Sequence, residues 1–152
     1  MRSRYPVIHC CSTRSWILFA LLHIAAAPVL AVTCNVSTGG LVFGSYDPFS
    51  TVSLDSAGDI AVTCDVATPY SVSLSPGSGT YANRRMFSGA NVLNYNLYID
   101  PLRLTVWGDG SAGTSTVSGS ISNHYTVYGR IPARQNIYIG SYGDNATITV
   151  TF

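Results

Sequence analysis

The chain has 152 residues, eight arginines, seven aspartates and a formal net charge of +1. It has no lysine and no glutamate, and one glutamine, Gln135. The best surface helix formers are thus almost absent, while Ser, Thr, Val, Tyr, Gly and Asn suit strands and turns. The composition excludes a helical bundle and predicts an all-β chain of one domain.

The first thirty residues read as an address. Arg2, Arg4 and Arg14 precede an apolar run from Trp16 through Leu22 to Leu30, and Val29-Leu30-Ala31 ends it with a small residue. This pattern predicts a secretory signal peptide, residues 1–31, leaving a domain of residues 32–152. Cleavage after Ala27 is the alternative. The run contains His23 and Pro28 and is short for a membrane span, so no stable span is expected after cleavage. Beyond Ala31 five arginines face seven aspartates, a net of −2, which leaves no basic footprint for nucleic acid.

Cys10 and Cys11 fall in the signal. Cys34 and Cys64 remain as an even pair in a chain bound for an oxidising compartment, so they are expected to form a disulfide. Closing that loop stabilises by about 3–4 kcal/mol in the chain-entropy model.

Alternating runs then follow one another. Ile60, Val62, Cys64 and Val66 share a face, as do Tyr70, Val72 and Leu74 before the Pro76-Gly77-Ser78-Gly79 turn. Leu93, Tyr95, Leu97 and Ile99 precede Asp100-Pro101, and Leu102, Leu104 and Val106 precede Trp107-Gly108-Asp109-Gly110. Tyr125, Val127 and Ile131 make a fifth run, and Ala146, Ile148, Val150 and Phe152 a sixth, with Thr147, Thr149 and Thr151 outward. Period-2 alternation broken by turn residues predicts an antiparallel sandwich or barrel. The sixth run reaches Phe152 without Lys or Pro to blunt its edge. Ile148, Val150 and Phe152 are therefore the candidate residues for pairing with a strand, from this chain or from a partner.

Chemistry-bearing motifs are scarce. Gly108 to Gly113 has dinucleotide-binding spacing, but Thr114 to Gly119 is no helix to hold a pyrophosphate, so a hairpin loop is expected. His124 is the one histidine beyond the signal. No Gly-x-Ser-x-Gly elbow accompanies it, and it reads as a surface strand residue. With the cysteines paired, no metal cluster remains. No catalytic, cofactor-binding or metal residues are expected, and the chain does not read as an enzyme. Nine tyrosines beyond the signal leave a secreted carbohydrate-binding or adhesive module as the alternative function.

The ordered motifs resemble the spore coat protein U domain, which includes subunits of archaic chaperone–usher pili. The resemblance rests on Leu41-Val42-Phe43-Gly44-Ser45-Tyr46, Ile60-Ala61-Val62-Thr63-Cys64 and Arg85-Met86. It continues through Leu93 to Asp100, Trp107 to Gly110, Tyr128 to Ala133, and Gly140 to Asp144 before the final strand. It implies an immunoglobulin-like sandwich lacking its last strand. It also implies a periplasmic chaperone that lends a strand, an outer-membrane usher, and neighbouring pilus subunits that replace the lent strand with an N-terminal extension. The product would be a surface fibre or coat. Val32-Thr33 alone precede Cys34 after cleavage at Ala31, and six residues after cleavage at Ala27, so a poor donor at the fibre tip is the expected position.

Overall fold

The computed structural model describes residues 31–152, so the predicted signal segment, Ala31 apart, lies outside the described residues. Eight strands follow in chain order: β1 Cys34–Gly40, β2 Leu54–Cys64, β3 Tyr70–Leu74, β4 Arg84–Ser88, β5 Asn91–Tyr98, β6 Val117–Gly119, β7 Asn123–Ile131 and β8 Ile148–Thr151. No helix occurs among the described residues, and so none long and apolar enough to cross a membrane. The strands form a five-stranded sheet, β1-β2-β7-β5-β4, and a three-stranded sheet, β6-β3-β8, antiparallel throughout.

The alternation read from the sequence is the alternation of burial. Ile60 and Val62 of β2, Tyr70, Val72 and Leu74 of β3, Leu93, Tyr95 and Leu97 of β5, and Val127 and Ile131 of β7 meet between the sheets. Trp107 is fully buried among them. Its indole Nε1 donates to the Val72 carbonyl at 3.0 Å, and its ring stands edge-on to Tyr125 at 6.3 Å. An aromatic buried this way needs a partner for its N–H, and β3 supplies one.

β1 and β2 are joined by the Cys34–Cys64 disulfide, the two residues lying directly opposite one another in the ladder. The register slips between Thr38 and Gly40. There the Thr38 hydroxyl donates to the Asp59 carbonyl at 2.7 Å and accepts from Gly40 N at 3.0 Å, and Gly40 takes φ 75°. The bulge needs a residue tolerant of that φ, and glycine fills the position.

Four expectations are corrected. β2 ends at Cys64, and Val66 is exposed beyond it. Leu102 and Leu104 form no strand and are both exposed, because the Asp100 carboxylate accepts from Leu104 N and Thr105 N and holds the stretch as a turn after Pro101. Gly108–Gly113 is a loop but not a hairpin. Trp107 and Ser115 bridge in parallel, and the Thr114 hydroxyl ties the loop by accepting from Gly110 N and donating to the Ser111 carbonyl. The run containing Ala146, Ile148, Val150 and Phe152 is a strand only over Ile148–Thr151, with Phe152 exposed after it.

Candidate functional site

β8 lies at the end of the three-stranded sheet. One edge pairs with β3, from Leu74 opposite Ile148 to Ser71 opposite Thr151, and its other edge meets no strand among the described residues. The segment leading to it changes sheets. Gly143 bridges Phe87 of β4 in the five-stranded sheet, with N–H to carbonyl bonds of 2.9 and 3.1 Å, and only then does the chain cross to β3. From Asp144 to Val150 alternate residues are half-buried: Asp144, Ala146, Ile148 and Val150, with those between them exposed.

A cavity of about 310 Å³ opens beside Ala146 and Ile148. Its floor comes from the inner face of the five-stranded sheet, through Ile60, Val127, Leu97, Tyr95 and Met86. The extended segment Gly40–Phe43 borders it, turning Leu41 and Phe43 toward the core and Val42 to solvent. This segment lies close on β7 at Gly129, where a Cβ would stand 2.6 Å from the Phe43 ring and 2.9 Å from Leu41. A second cavity of about 590 Å³ shares Leu41, Phe43, Met86 and Tyr142 and extends to Leu93, Ile131 and Ile137. Together they form an apolar trough over strands that the smaller sheet leaves uncovered.

One end of the trough is polar. Asp144 Oδ1 accepts from Ser78 N at 3.0 Å and Ser78 Oγ at 2.7 Å, and its Oδ2 accepts from the Tyr95 hydroxyl at 2.7 Å. Burial pushes the Asp144 carboxyl up, but the Ser78 and Tyr95 bonds outweigh it and hold the group below the usual carboxylate range. Burial, then the adjacent carboxylate, drives the Tyr95 phenol far above its ordinary value. Behind them Arg84 is fully buried, its guanidinium donating to the Ser75 carbonyl and, at 2.8 Å, to the Trp107 carbonyl, while Nε has no partner. Desolvation lowers the Arg84 pKa, with Tyr95, Tyr81 and Asp144 opposing it.

Of the candidate strand-pairing residues, Ile148 lines the trough, Val150 packs against the core, and Phe152 stands exposed past the strand end. Sequence reasoning missed Asp144, Tyr95 and Arg84 as a group, and the Leu41–Phe43 border. The signal available for Asp144 was its place two residues ahead of Ala146, a carboxylate in an otherwise apolar inward series. His124 is exposed on β7, and its Nδ1 lies 3.1 Å from Asp59 Oδ2. Among the described residues no three His, Cys, Asp or Glu side chains cluster as metal ligands.

The fold is similar to that of a solved pilus subunit. A solved complex described as the CsuC–CsuE chaperone–tip adhesion subunit pre-assembly complex, from archaic chaperone–usher Csu pili of Acinetobacter baumannii, superposes with a TM-score of 0.58 at 23% identity. The match covers 81% of this chain and 40% of that one, so the chain spans well under half the length of the solved protein. The Escherichia coli Hda pilus minor tip subunit HdaB matches at a TM-score of 0.41 and 14% identity, over 76% of this chain and 79% of that one. In sequence, the chain is 32% identical over 138 residues to Protein U of Myxococcus xanthus, covering 78% of this chain and 77% of that protein. Residues 20–151 match the Spore Coat Protein U domain. The chain, an all-β immunoglobulin-like sandwich with two antiparallel sheets, therefore belongs to the Spore Coat Protein U domain family.

Proposed function

We propose that this chain is a secreted structural subunit of a bacterial surface fibre or coat, with no enzymatic role, assembled by the chaperone–usher route through strand exchange. The observation that carries the reading is the apolar trough beside the unpaired edge of β8. A strand laid there would pair its backbone with β8 and bury alternate side chains between Ala146 and Ile148 on one side and Leu41 and Phe43 on the other. Three or four such side chains at about 1.5–3 kcal/mol each give a gross gain of roughly 4.5–12 kcal/mol, which the backbone pairing with β8 must supplement to exceed association costs of about 4–15 kcal/mol.

In this reading a periplasmic chaperone lends the strand first, and a neighbouring subunit replaces it at an outer-membrane usher. The subunit–chaperone complex among the fold relatives supports the chaperone step. The reading includes export with cleavage of the 1–31 segment, and N-terminal sequencing of exported protein should begin at Val32 or Pro28. The tip position is tested by mixing the chaperone-bound subunit with itself, where a tip acceptor forms no homopolymer.

The main test is complementation in trans. Expressed alone in a periplasm, the domain should aggregate or be proteolysed. A peptide of alternating valine and threonine, at a hundred times its Kd, should add about 2.7 kcal/mol and raise Tm by roughly 10 °C. A stable monomer that ignores every such peptide would overturn the reading and favour a self-sufficient secreted binding module.

A further inference from the structure

The inward residues beside the trough are not uniformly apolar. Asp144, Ala146 and Ile148 share one face, and only the first carries charge. The chain builds a holder for that carboxylate. Gly77, at φ 64°, leaves room that a Cβ would fill, since it would stand 2.1 Å from Asp144 Oδ2. Ser78 and Tyr95 supply three donated bonds. An ionised carboxylate offers about four acceptor positions; three are filled by these bonds, the adjacent Asn145 N–H adds only a weaker contact, and Asp144, which lines the trough, keeps room for a further donor.

Resting on the strand-accepting role proposed above, we infer that the strand received by the trough carries a hydrogen-bond-donating side chain (amide, hydroxyl or cation) opposite Asp144, and apolar side chains opposite Ala146 and Ile148. A docked strand strips water from the carboxylate. An apolar residue opposite it leaves the fourth acceptor position dry, at a cost of roughly tenfold in affinity. An acidic residue there adds like-charge repulsion between cross-strand neighbours. A donor satisfies the position and makes the polar end of the trough a register mark, because sliding the strand by two residues would set an apolar side chain against Asp144.

The experiment is a scan on the unaltered chain, so no variant has to fold. A nine-residue peptide of alternating valine and threonine competes against its labelled parent, with each valine changed in turn to Asn, Lys or Asp. At one inward position Asn and Lys should strengthen binding about tenfold over valine while Asp weakens it by a similar factor. At every other inward position all three should weaken it. Weakening at every position, with the parent peptide still bound, overturns this inference alone. Failure of the parent itself to bind removes the strand-accepting role as well.

Discussion

Arg84→Met tests how the two sheets are held at the polar end of the trough. Arg84 is fully buried on β4 yet bonds two carbonyls outside that strand, at Ser75 after β3 and at Trp107. Bonds from a charged donor contribute about 1.5–3 kcal/mol each, so the substitution forfeits roughly 3–6 kcal/mol and orphans two carbonyls. Against this stands relief of the guanidinium's desolvation, several kcal/mol, enlarged by an Nε with no partner. Methionine fills the space but donates nothing, and Asp144 loses a nearby cation. Each orphaned carbonyl costs a further ~1–3 kcal/mol, and with that included the balance is a net loss of about 3 kcal/mol. With m near 1.5 kcal/mol per M, the urea midpoint should fall by about 2 M. Trp107 is the one tryptophan among the described residues and sits on the affected carbonyl, so its fluorescence reports the transition directly. Arg84→Lys, reaching one carbonyl, should fall between. A midpoint unchanged or raised in Arg84→Met would show that desolvation exceeds the bonds, and would refute Arg84 as a brace.

The Cys34–Cys64 bridge should make the oxidised chain two hydrogen atoms lighter by mass spectrometry, and replacing both cysteines by serine should lower stability by about 3.5 kcal/mol. Asp144, held below the usual carboxylate range, contributes stability fully present above the unfolded value of about 3.9 and lost as pH falls through its lower folded value. Asp144→Asn should therefore be less stable at pH 7 yet lose less below pH 4, and parallel pH–stability curves would contradict this. Gly129→Val should push Phe43 and Leu41 off β7, costing about 1–3 kcal/mol and weakening strand-peptide binding at least tenfold, with Gly129→Ala milder. Undiminished peptide affinity in Gly129→Val would remove the Leu41–Phe43 segment from the trough's border.

Strands with a buried face and a clean period of two were legible: Tyr70, Val72 and Leu74 read as they fold. β4 was not, because Arg84 occupies an inward position where an apolar residue is expected, and only its bonds to carbonyls explain its burial. β1 is an edge strand whose alternation stops at Ser37 ahead of a bulge, and β6 is three residues long, so neither run is long enough to read as a strand. Leu102 and Leu104 misled because apolar periodicity says nothing of a carboxylate capturing the same backbone N–H groups that a ladder would need. The inward face of β8 was readable from Ile148 and Val150. The trough was not, since it is made by what the three-stranded sheet leaves uncovered, a fact of pairing between distant segments.

The pairing order also dictates a timetable. As the chain emerges N-terminus first, β1 and β2 can join at once, and β4 and β5 are adjacent in sequence. β2, however, must wait for β7 on its other side, and β3 must wait for both β6 and β8. Neither sheet closes until most of the chain is out, and contacts so remote in sequence form slowly. Cys34 and Cys64 lie in the earlier of the large sheet's two edge pairs, so oxidation can lock β1 onto β2 while everything downstream is still unpaired. The crossing at Gly143 ties β4 to the approach of β8, so it forms late and helps fasten the two sheets to each other just before β8 itself can join β3.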